Sequence, residues 1–203
     1  RRIREIDINP IICSADRMIA LDARIVLHGA EVDDKDLPRP AIRPYPAELT
    51  ERVHWMGREI VVRPIRPEDE AQHRAFLERL DPEDVRMRVF YARTELPRSE
   101  LARLTQIDYE REMAFIATER QPDGSQHTLG VVRAITDPDN SDAEFAIVVR
   151  SDLKGQGLGR LLMNKIIAYA RGRGTGRLVG DVLHENSGML ALARASGFTI
   201  DKP

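Results

Sequence analysis

Three glycines spaced two residues apart stand where the sequence passes from a predicted strand to a predicted helix. They are Gly155, Gly157 and Gly159. An apolar run at 143–149 precedes them, and an apolar pattern of helical period over 158–170 follows. Glycine lets a loop bring successive backbone N–H groups close to an anion, and a helix N-terminus adds unpaired donors and a positive dipole end. The pattern therefore predicts a pocket for a phosphate or pyrophosphate group.

The spacing of these glycines selects among the known phosphate-binding loops. It does not meet the dinucleotide pattern G-x-G-x-x-G, and the P-loop pattern G-x-x-x-x-G-K-[ST] is absent as well. The stretch resembles the acyl-CoA loop of the GCN5-related N-acetyltransferase (GNAT) family, with Lys154 at a position that the family fills with arginine or glutamine. The alternative is a glycine-rich loop that only turns the chain.

The resemblance implies a cosubstrate, acetyl-CoA, and a set of residues that contact it. The implied contacts come from the end of the preceding strand, from the glycine loop and from the start of a later helix. They are Ile147, Val148, Val149, Lys154, Gly155, Gln156, Gly157, Leu158, Gly159, Arg160, Asn186 and Ser187.

Asn186 stands shortly before a Gly-Phe pair, an arrangement that resembles the second CoA segment of the family. Asn186 and Ser187 are also good helix N-cap residues, and the two roles are compatible. Many family members have a tyrosine in the following helix that protonates the departing thiolate, whereas this sequence has Ala193 at that position. A thiolate is a fair leaving group unaided. The nearby His184 is expected to be structural.

Glu144 is the one charged residue inside the apolar run 143–149. A strand that is apolar on both faces is usually a buried central strand, and a carboxylate there is costly unless it has a partner or a role. Burial makes a carboxylate a stronger base. The resemblance points the same way, since a glutamate on this strand of related protein acetyltransferases removes a proton from the attacking lysine. Glu144 is therefore the predicted general base, and the alternative is a solvated glutamate.

Composition excludes several classes of protein. Lys and Arg number 31 against 33 Asp and Glu, a net charge of −2, so no basic field predicts a nucleic-acid partner. The single cysteine, Cys13, cannot form an internal disulfide, and no cysteine spacing is typical of a metal site. No apolar run is long enough to cross a bilayer, and no signal-peptide pattern is present. These features predict a cytoplasmic protein without nucleic-acid or membrane partners, and they leave its oligomeric state open.

The first 32 residues contain two strand-like runs around a short polar turn. Within them, EIDINP at 5–10 and ALDAR at 20–24 resemble the E-x-D-x-N-P and A-L-D-A-[KR] motifs of the ATP-grasp domain in ADP-forming acyl-CoA synthetases. The resemblance implies that 1–32 is a C-terminal remnant of such a domain. It also implies that Asn9 and Asp22 are magnesium ligands in an intact ATP-grasp domain, with no metal in the transferase domain.

A change in composition separates this region from the rest of the chain. Residues 33–56 hold several acids and alternate prolines, which stiffen the chain and predict an extended linker. Residues 57–203 then follow the order strand, helices, three strands, helix, strand and helix. This order resembles the acetyltransferase fold, an α/β (α+β) fold with a mixed central sheet and flanking helices. The last strands of that fold are missing after Phe198, so the domain is expected to be truncated at its C-terminal end.

The three regions together resemble bacterial protein lysine acetyltransferases in which an acyl-CoA synthetase-like region precedes the transferase. The resemblance implies direct transfer of an acetyl group from acetyl-CoA to an amine. The expected acceptor is a lysine of a protein, for example a metabolic acyl-CoA synthetase. Cys13 lies in the wrong region to carry an acyl group, which favours direct transfer over a ping-pong route.

Three alternatives stay open. One is a non-catalytic module that senses acyl-CoA, which a solvated or displaced Glu144 would favour. Another is a part of an ADP-forming acyl-CoA ligase, which depends on Asn9 and Asp22. The third is an acetyltransferase that acts on a small-molecule amine.

Overall fold

The computed structural model describes residues 2–33, 36–37, 43–89 and 97–201. The chain divides into two units, Arg1–Pro44 and Tyr45–Pro203. Part of the predicted linker, including Pro38 and Pro40, lies outside the described residues.

The N-terminal unit is a hairpin that is interrupted in both arms. Its strands are β1 (Ile3–Ile8), β2 (Ile11–Cys13), β3 (Met18–Ala20) and β4 (Ala23–Leu27). β1 pairs antiparallel with β4, and β2 pairs antiparallel with β3, which confirms the predicted hairpin. At the interruption, the Asn9 backbone N–H donates to the Asp22 carbonyl at 3.2 Å. The two residues predicted as magnesium ligands of an intact ATP-grasp domain are thus neighbours across the hairpin.

The second unit contains one sheet and five described helices. Its strands are β5 (Glu51–Trp55), β6 (Arg58–Pro64), β7 (Glu112–Arg120), β8 (Gln126–Thr136), β9 (Asp142–Val149) and β10 (Arg177–Val179). Its helices are α1 (Glu70–Leu77), α2 (Pro82–Val89), α3 (Arg98–Thr105), α4 (Leu158–Arg173) and α5 (Ser187–Ala195). The six strands lie in the order β10-β9-β8-β7-β6-β5. The β9–β10 pair is parallel and the other four pairs are antiparallel, so the sheet is mixed, as the sequence predicts.

β5 lies inside the segment 33–56, which the composition predicts as a linker. It pairs antiparallel with β6 along its whole length, and Trp55 at its end is buried. The linker prediction is therefore wrong for residues 51–55. The prolines that indicate a stiff spacer end at Pro46, and the pairing of β5 depends on its hairpin partner, which composition does not reveal.

Two apolar clusters cover the two faces of the sheet, because strand side chains alternate in direction. On β7, Met113 and Phe115 belong to a cluster with α4, whereas Ala114 and Ile116 belong to a cluster with Phe76 of α1. The buried residues of α4 are Leu158, Leu162, Met163, Ile166 and Ala170, which follow the predicted stripe. The sheet therefore has an α4 side and an α1–α2 side, and β9 presents different side chains to each.

Candidate functional site

β9 and β10 separate after three residue pairs, and a cavity opens at the point where they separate. β10 pairs with β9 only at Asp142, Ala143 and Glu144, although the other edge of β9 stays paired with β8 as far as Val149. The open stretch 145–149 lines a cavity of about 570 Å³, a size typical of small-molecule sites. No strand among the described residues pairs with this edge, so its backbone groups can pair with a ligand.

The glycine loop lines the same cavity and leads into α4. Gly155 and Gly157 have φ values of 73° and 85°, a region that disfavours residues with a Cβ. A Cβ at either position would meet no atom within 4 Å, so the loop backbone faces open space. No side-chain hydrogen bond caps the N-terminus of α4. Its first N–H groups and the positive dipole end therefore fit the pyrophosphate of acetyl-CoA.

Most of the predicted cosubstrate contacts line this one cavity. They are Ile147, Val148, Val149, Lys154, Gly155, Gly157, Gly159, Arg160, Asn186 and Ser187. Gln156 and Leu158 are absent from its lining. Leu158 is a core residue with 1% of its surface exposed, and the Gln156 amide donates to the Asp152 carbonyl at 3.2 Å. The side chains of these two residues therefore serve the packing of the loop rather than the cavity.

Gln156 is held in place by a residue that is distant in the sequence. The Trp55 indole Nε1–H donates to the Gln156 carbonyl at 2.8 Å, and only 6% of Trp55 is exposed. A partly buried hydrogen bond of this kind restricts the backbone between the two positive-φ glycines. The glycine loop is thus anchored to the far edge of the sheet through β5.

Lys154 is engaged by a carboxylate of α2, which the sequence does not predict. Its ammonium forms an ion pair with Asp84, whose side chain is 9% exposed. Asp84 also accepts a hydrogen bond from the Ser151 hydroxyl at 2.6 Å. Because Asp84 neutralises Lys154, the donors left for a phosphate among the described residues of this loop are the backbone N–H groups of Gly155 and Gly157, the first amides of α4 and the exposed Arg160.

Glu144 lies in this cavity, but it is exposed rather than buried. Its neighbours Ala143 and Phe145 are buried in the cluster on the α4 side, whereas Glu144 projects to the α1–α2 side, where the pairing with β10 ends. The apolar neighbours that predict burial therefore cover only the opposite face, and that prediction is wrong. An exposed Glu144 is open to an incoming acceptor, and its exposure also favours the acyl-CoA-sensing alternative.

One wall of the cavity comes from α2, which sequence reasoning did not connect with the site. Its lining residues include Asp84, Met87 and Arg88. Their spacings of three and four residues place them on one helix face. This spacing could have identified the face from the sequence, but not that the face lies over β9. Burial lowers the pKa of Arg88, and the negative charge of Glu144 acts in the opposite direction. Arg88 and Glu144 are therefore close enough to interact across the cavity.

The opposite wall comes from the segment that leads into α5. Asn186 lines the cavity and caps α5, since its side-chain oxygen accepts a hydrogen bond from the Met189 backbone N–H at 3.0 Å. The capping role of Asn186 is thus confirmed, and the same residue lines the cavity. Glu185 forms an ion pair with Arg86 of α2 at 2.5 Å. This ion pair connects the two walls.

The remaining candidate residues lie apart from the cavity. Ala193 is buried in α5, and His184 is exposed and is absent from the cavity lining. The sequence also predicts that the strand after α4 continues to residue 183, but β10 ends at Val179, because the chain leaves the sheet there to form the α5 wall. In the described part of the chain, no group of three or more His, Cys, Asp or Glu side chains could hold a metal ion. No helix in that part is both long and apolar enough to span a bilayer.

Comparisons with known proteins add evidence of a different kind. The model of the acetyltransferase (GNAT) family matches residues 69–198. Acetyltransferase PA5475 of Pseudomonas aeruginosa is 31% identical over 150 residues, which cover 71% of this chain and 80% of that relative. The GNAT domain of S. lividans PAT superposes with a TM-score of 0.70 at 27% identity, covering 78% of this chain and 93% of that chain.

A more distant solved structure contains coenzyme A. RimL, a ribosomal L7/L12 alpha-N-protein acetyltransferase in complex with coenzyme A, superposes with a TM-score of 0.60 at 14% identity. The superposition covers 75% of this chain and 86% of RimL. At this identity, the likeness is one of fold alone.

Proposed function

Because the chain belongs to the acetyltransferase (GNAT) family and moves an acetyl group from acetyl-CoA to an amine, we propose that its acceptor is the ε-amine of a protein lysine. The observation that carries this proposal is the exposed carboxylate of Glu144 in the cavity that the glycine loop lines. Lysine has a flexible four-carbon stem, which can carry an amine from the surface of another protein to a base at such a position.

Glu144 acts in the proposal as the general base. A lysine amine has a pKa of about 10.4 in water, so it is mostly protonated at neutral pH and cannot attack. Glu144 accepts one proton from it, directly or through a water molecule. The amine nitrogen then forms a bond to the acetyl carbon while the bond from that carbon to sulfur breaks, and sulfur keeps the electron pair. The new amide nitrogen loses its second proton, and the thiolate gains one.

The other residues of the cavity bind and orient. The first amides of α4 and the backbone of Gly155 and Gly157 bind the pyrophosphate. The open edge of β9 at 145–149 pairs with the amide groups of the pantetheine arm, which places the thioester beside Glu144. Ala193 offers no proton to the departing sulfur, so the leaving group departs as the thiolate, which is a fair leaving group unaided.

Mass spectrometry tests the proposed acceptor. The chain is incubated with isotope-labelled acetyl-CoA and candidate proteins, among them acyl-CoA synthetases, and the labelled residues are mapped. We expect label on lysine side chains, with much less label when Glu144→Gln replaces the wild type. Label confined to N-terminal amines or to small-molecule amines would contradict the lysine assignment. Tight binding of acetyl-CoA without transfer to any acceptor would favour the sensing module.

We also propose that residues 1–32 correspond to the end of an ATP-grasp domain, followed by a linker and the transferase. The motifs at 5–10 and 20–24 support this origin, as does the hairpin that brings Asn9 and Asp22 together. Carboxylate and amide oxygens suit magnesium. Two such residues are too few to complete the coordination of the ion, so the rest of an ATP-grasp domain would have to supply the other ligands.

ATP with magnesium is therefore expected to leave the melting temperature of this chain unchanged. A ligand that binds only the folded state raises that temperature, and acetyl-CoA should do so in the same assay, which makes it the positive control. Differential scanning fluorimetry over a concentration series of each ligand is the measurement. A saturable, ATP-dependent rise would show that the N-terminal unit holds a more complete nucleotide site than we propose.

A further inference from the structure

α2 and β9 run along the same cavity, and their facing residues can be paired by position. Val85 of α2 and Val148 of β9 pack against the same apolar cluster. One turn further along α2, Arg88 lies on the face of Val85, and Glu144 lies on the face of Val148 because strand side chains alternate. Both Arg88 and Glu144 line the cavity. The guanidinium of Arg88 and the carboxylate of Glu144 thus face each other, next to the apolar cluster that Val85 and Val148 pack against.

The two ends of α2 meet different parts of the site. Asp84, near its start, is bound to Lys154 of the glycine loop. Arg88 lies about 6 Å further along the helix axis. Glu144 is likewise separated from Val149, at the loop end of β9, by about 16 Å of extended strand. Arg88 therefore lies at the end of the cavity that holds Glu144, the proposed general base, rather than at the end where the phosphate binds.

The charge of Arg88 is not neutralised by an ion pair with any residue that the structure describes. Neighbouring cations have such partners: Arg86 pairs with Glu83 and Glu185, and Lys154 pairs with Asp84. Arg88 is half-buried, and burial lowers its pKa, with only Glu144 acting against that effect. A partly desolvated guanidinium is costly when its nearest carboxylate, here Glu144, acts on it only across the cavity and forms no direct ion pair with it. A carboxylate that arrives with a ligand would offset this cost.

We propose that Arg88 determines acceptor specificity by pairing its guanidinium with a carboxylate that the acceptor carries next to its reactive lysine. The inference rests on the proposed lysine acceptor and adds the chemistry of its surroundings. A guanidinium binds a carboxylate through two parallel hydrogen bonds, which fix both position and orientation. Such a pair would place the lysine amine at Glu144. A phosphate of the cosubstrate is a poorer candidate for the same guanidinium, because the phosphate-binding loop lies at the other end of α2.

Two matched peptides test the proposal with the full chain. Each contains a single lysine, flanked by aspartate in one peptide and by asparagine in the other, and kcat/KM is measured for both. Hydrogen bonds between charged groups are stronger than those between neutral groups, so we expect the aspartate peptide to be preferred by roughly tenfold or more. Equal values for the two peptides would overturn this inference alone. Acetylation of neither peptide would overturn the lysine assignment, and this inference with it.

Variants of α2 connect the preference to Arg88. In Arg88→Gln the ratio of kcat/KM between the peptides should fall to about one, whereas Arg88→Lys should keep part of the preference because the charge remains. A loss caused by misfolding affects both peptides and cancels from the ratio. Arg74→Gln is the control, since it removes the same charge from α1, on the same side of the sheet and outside the cavity lining, and it should keep the preference. A full preference in Arg88→Gln would overturn the proposal.

Discussion

Replacing Glu144 by glutamine should lower the turnover number by roughly 10²–10⁴ at neutral pH, which is the usual contribution of a positioned general base. Glutamine keeps the shape of the side chain and removes its basicity. The attacking amine would then have to lose its proton to water. The measurement is the rate of acetyl transfer to a lysine acceptor at saturating acetyl-CoA.

The fold is not expected to suffer from this change, because Glu144 is exposed. The affinity for acetyl-CoA should hardly change, since the glycine loop and α4 bind the cosubstrate. Asp142→Asn is a suitable control: it removes a carboxylate two residues earlier on the same strand, where Asp142 pairs with Arg177 outside the cavity lining. Normal turnover in Glu144→Gln would place the base elsewhere. A loss of acetyl-CoA binding in that variant would mean that the residue is structural.

Replacing Gly157 by aspartate should weaken the binding of acetyl-CoA by roughly 10²–10³, about 3–4 kcal/mol. Two effects contribute. The φ value of 85° strains any residue with a Cβ, so the loop relaxes away from the conformation that presents its N–H groups to the ligand. The new carboxylate also enters the open space where the pyrophosphate binds, and like charges at close range are strongly unfavourable. Isothermal titration calorimetry with acetyl-CoA measures the effect.

Gly174→Asp separates backbone strain from ligand repulsion. Gly174 follows the other end of α4 with a φ of 69° and open space around a Cβ, and it is absent from the cavity lining. This variant should lower the melting temperature while leaving the affinity for acetyl-CoA close to that of the wild type. If Gly157→Asp folds and binds acetyl-CoA as tightly as the wild type, the glycine loop is not the phosphate site.

Local signals in the sequence were sufficient to predict the secondary-structure elements that carry the glycine loop. The apolar period beginning at Leu158 predicts α4 and its buried stripe, and the N-cap residue Asn186 predicts where α5 begins. These predictions succeed because helix periodicity and capping depend on residues only a few positions apart. The order of the elements from β6 to α5 follows from the same kind of signal, whereas composition predicts β5 as part of a linker.

The features that the sequence did not reveal depend on contacts between distant segments. Asp84 and Lys154 are 70 positions apart, and nothing in the helical period of α2 indicates that its polar face lies over β9. The exposure of Glu144 has a similar origin: its apolar neighbours predict burial, but the pairing of β9 with β10 stops at that residue. The point at which a strand loses its paired neighbour depends on the whole sheet. It therefore cannot be predicted from the composition of one strand.

The hydrogen bond from Trp55 to the glycine loop makes the tryptophan fluorescence of the molecule sensitive to that loop. Trp55 is the single tryptophan of the sequence, and its indole N–H donates to the carbonyl of Gln156, between the two positive-φ glycines. The emission of an indole depends on its hydrogen bonding and on the polarity around it. The tryptophan fluorescence of the chain therefore comes entirely from the residue that touches the loop, and a change in that loop alters the whole tryptophan signal rather than a fraction of it.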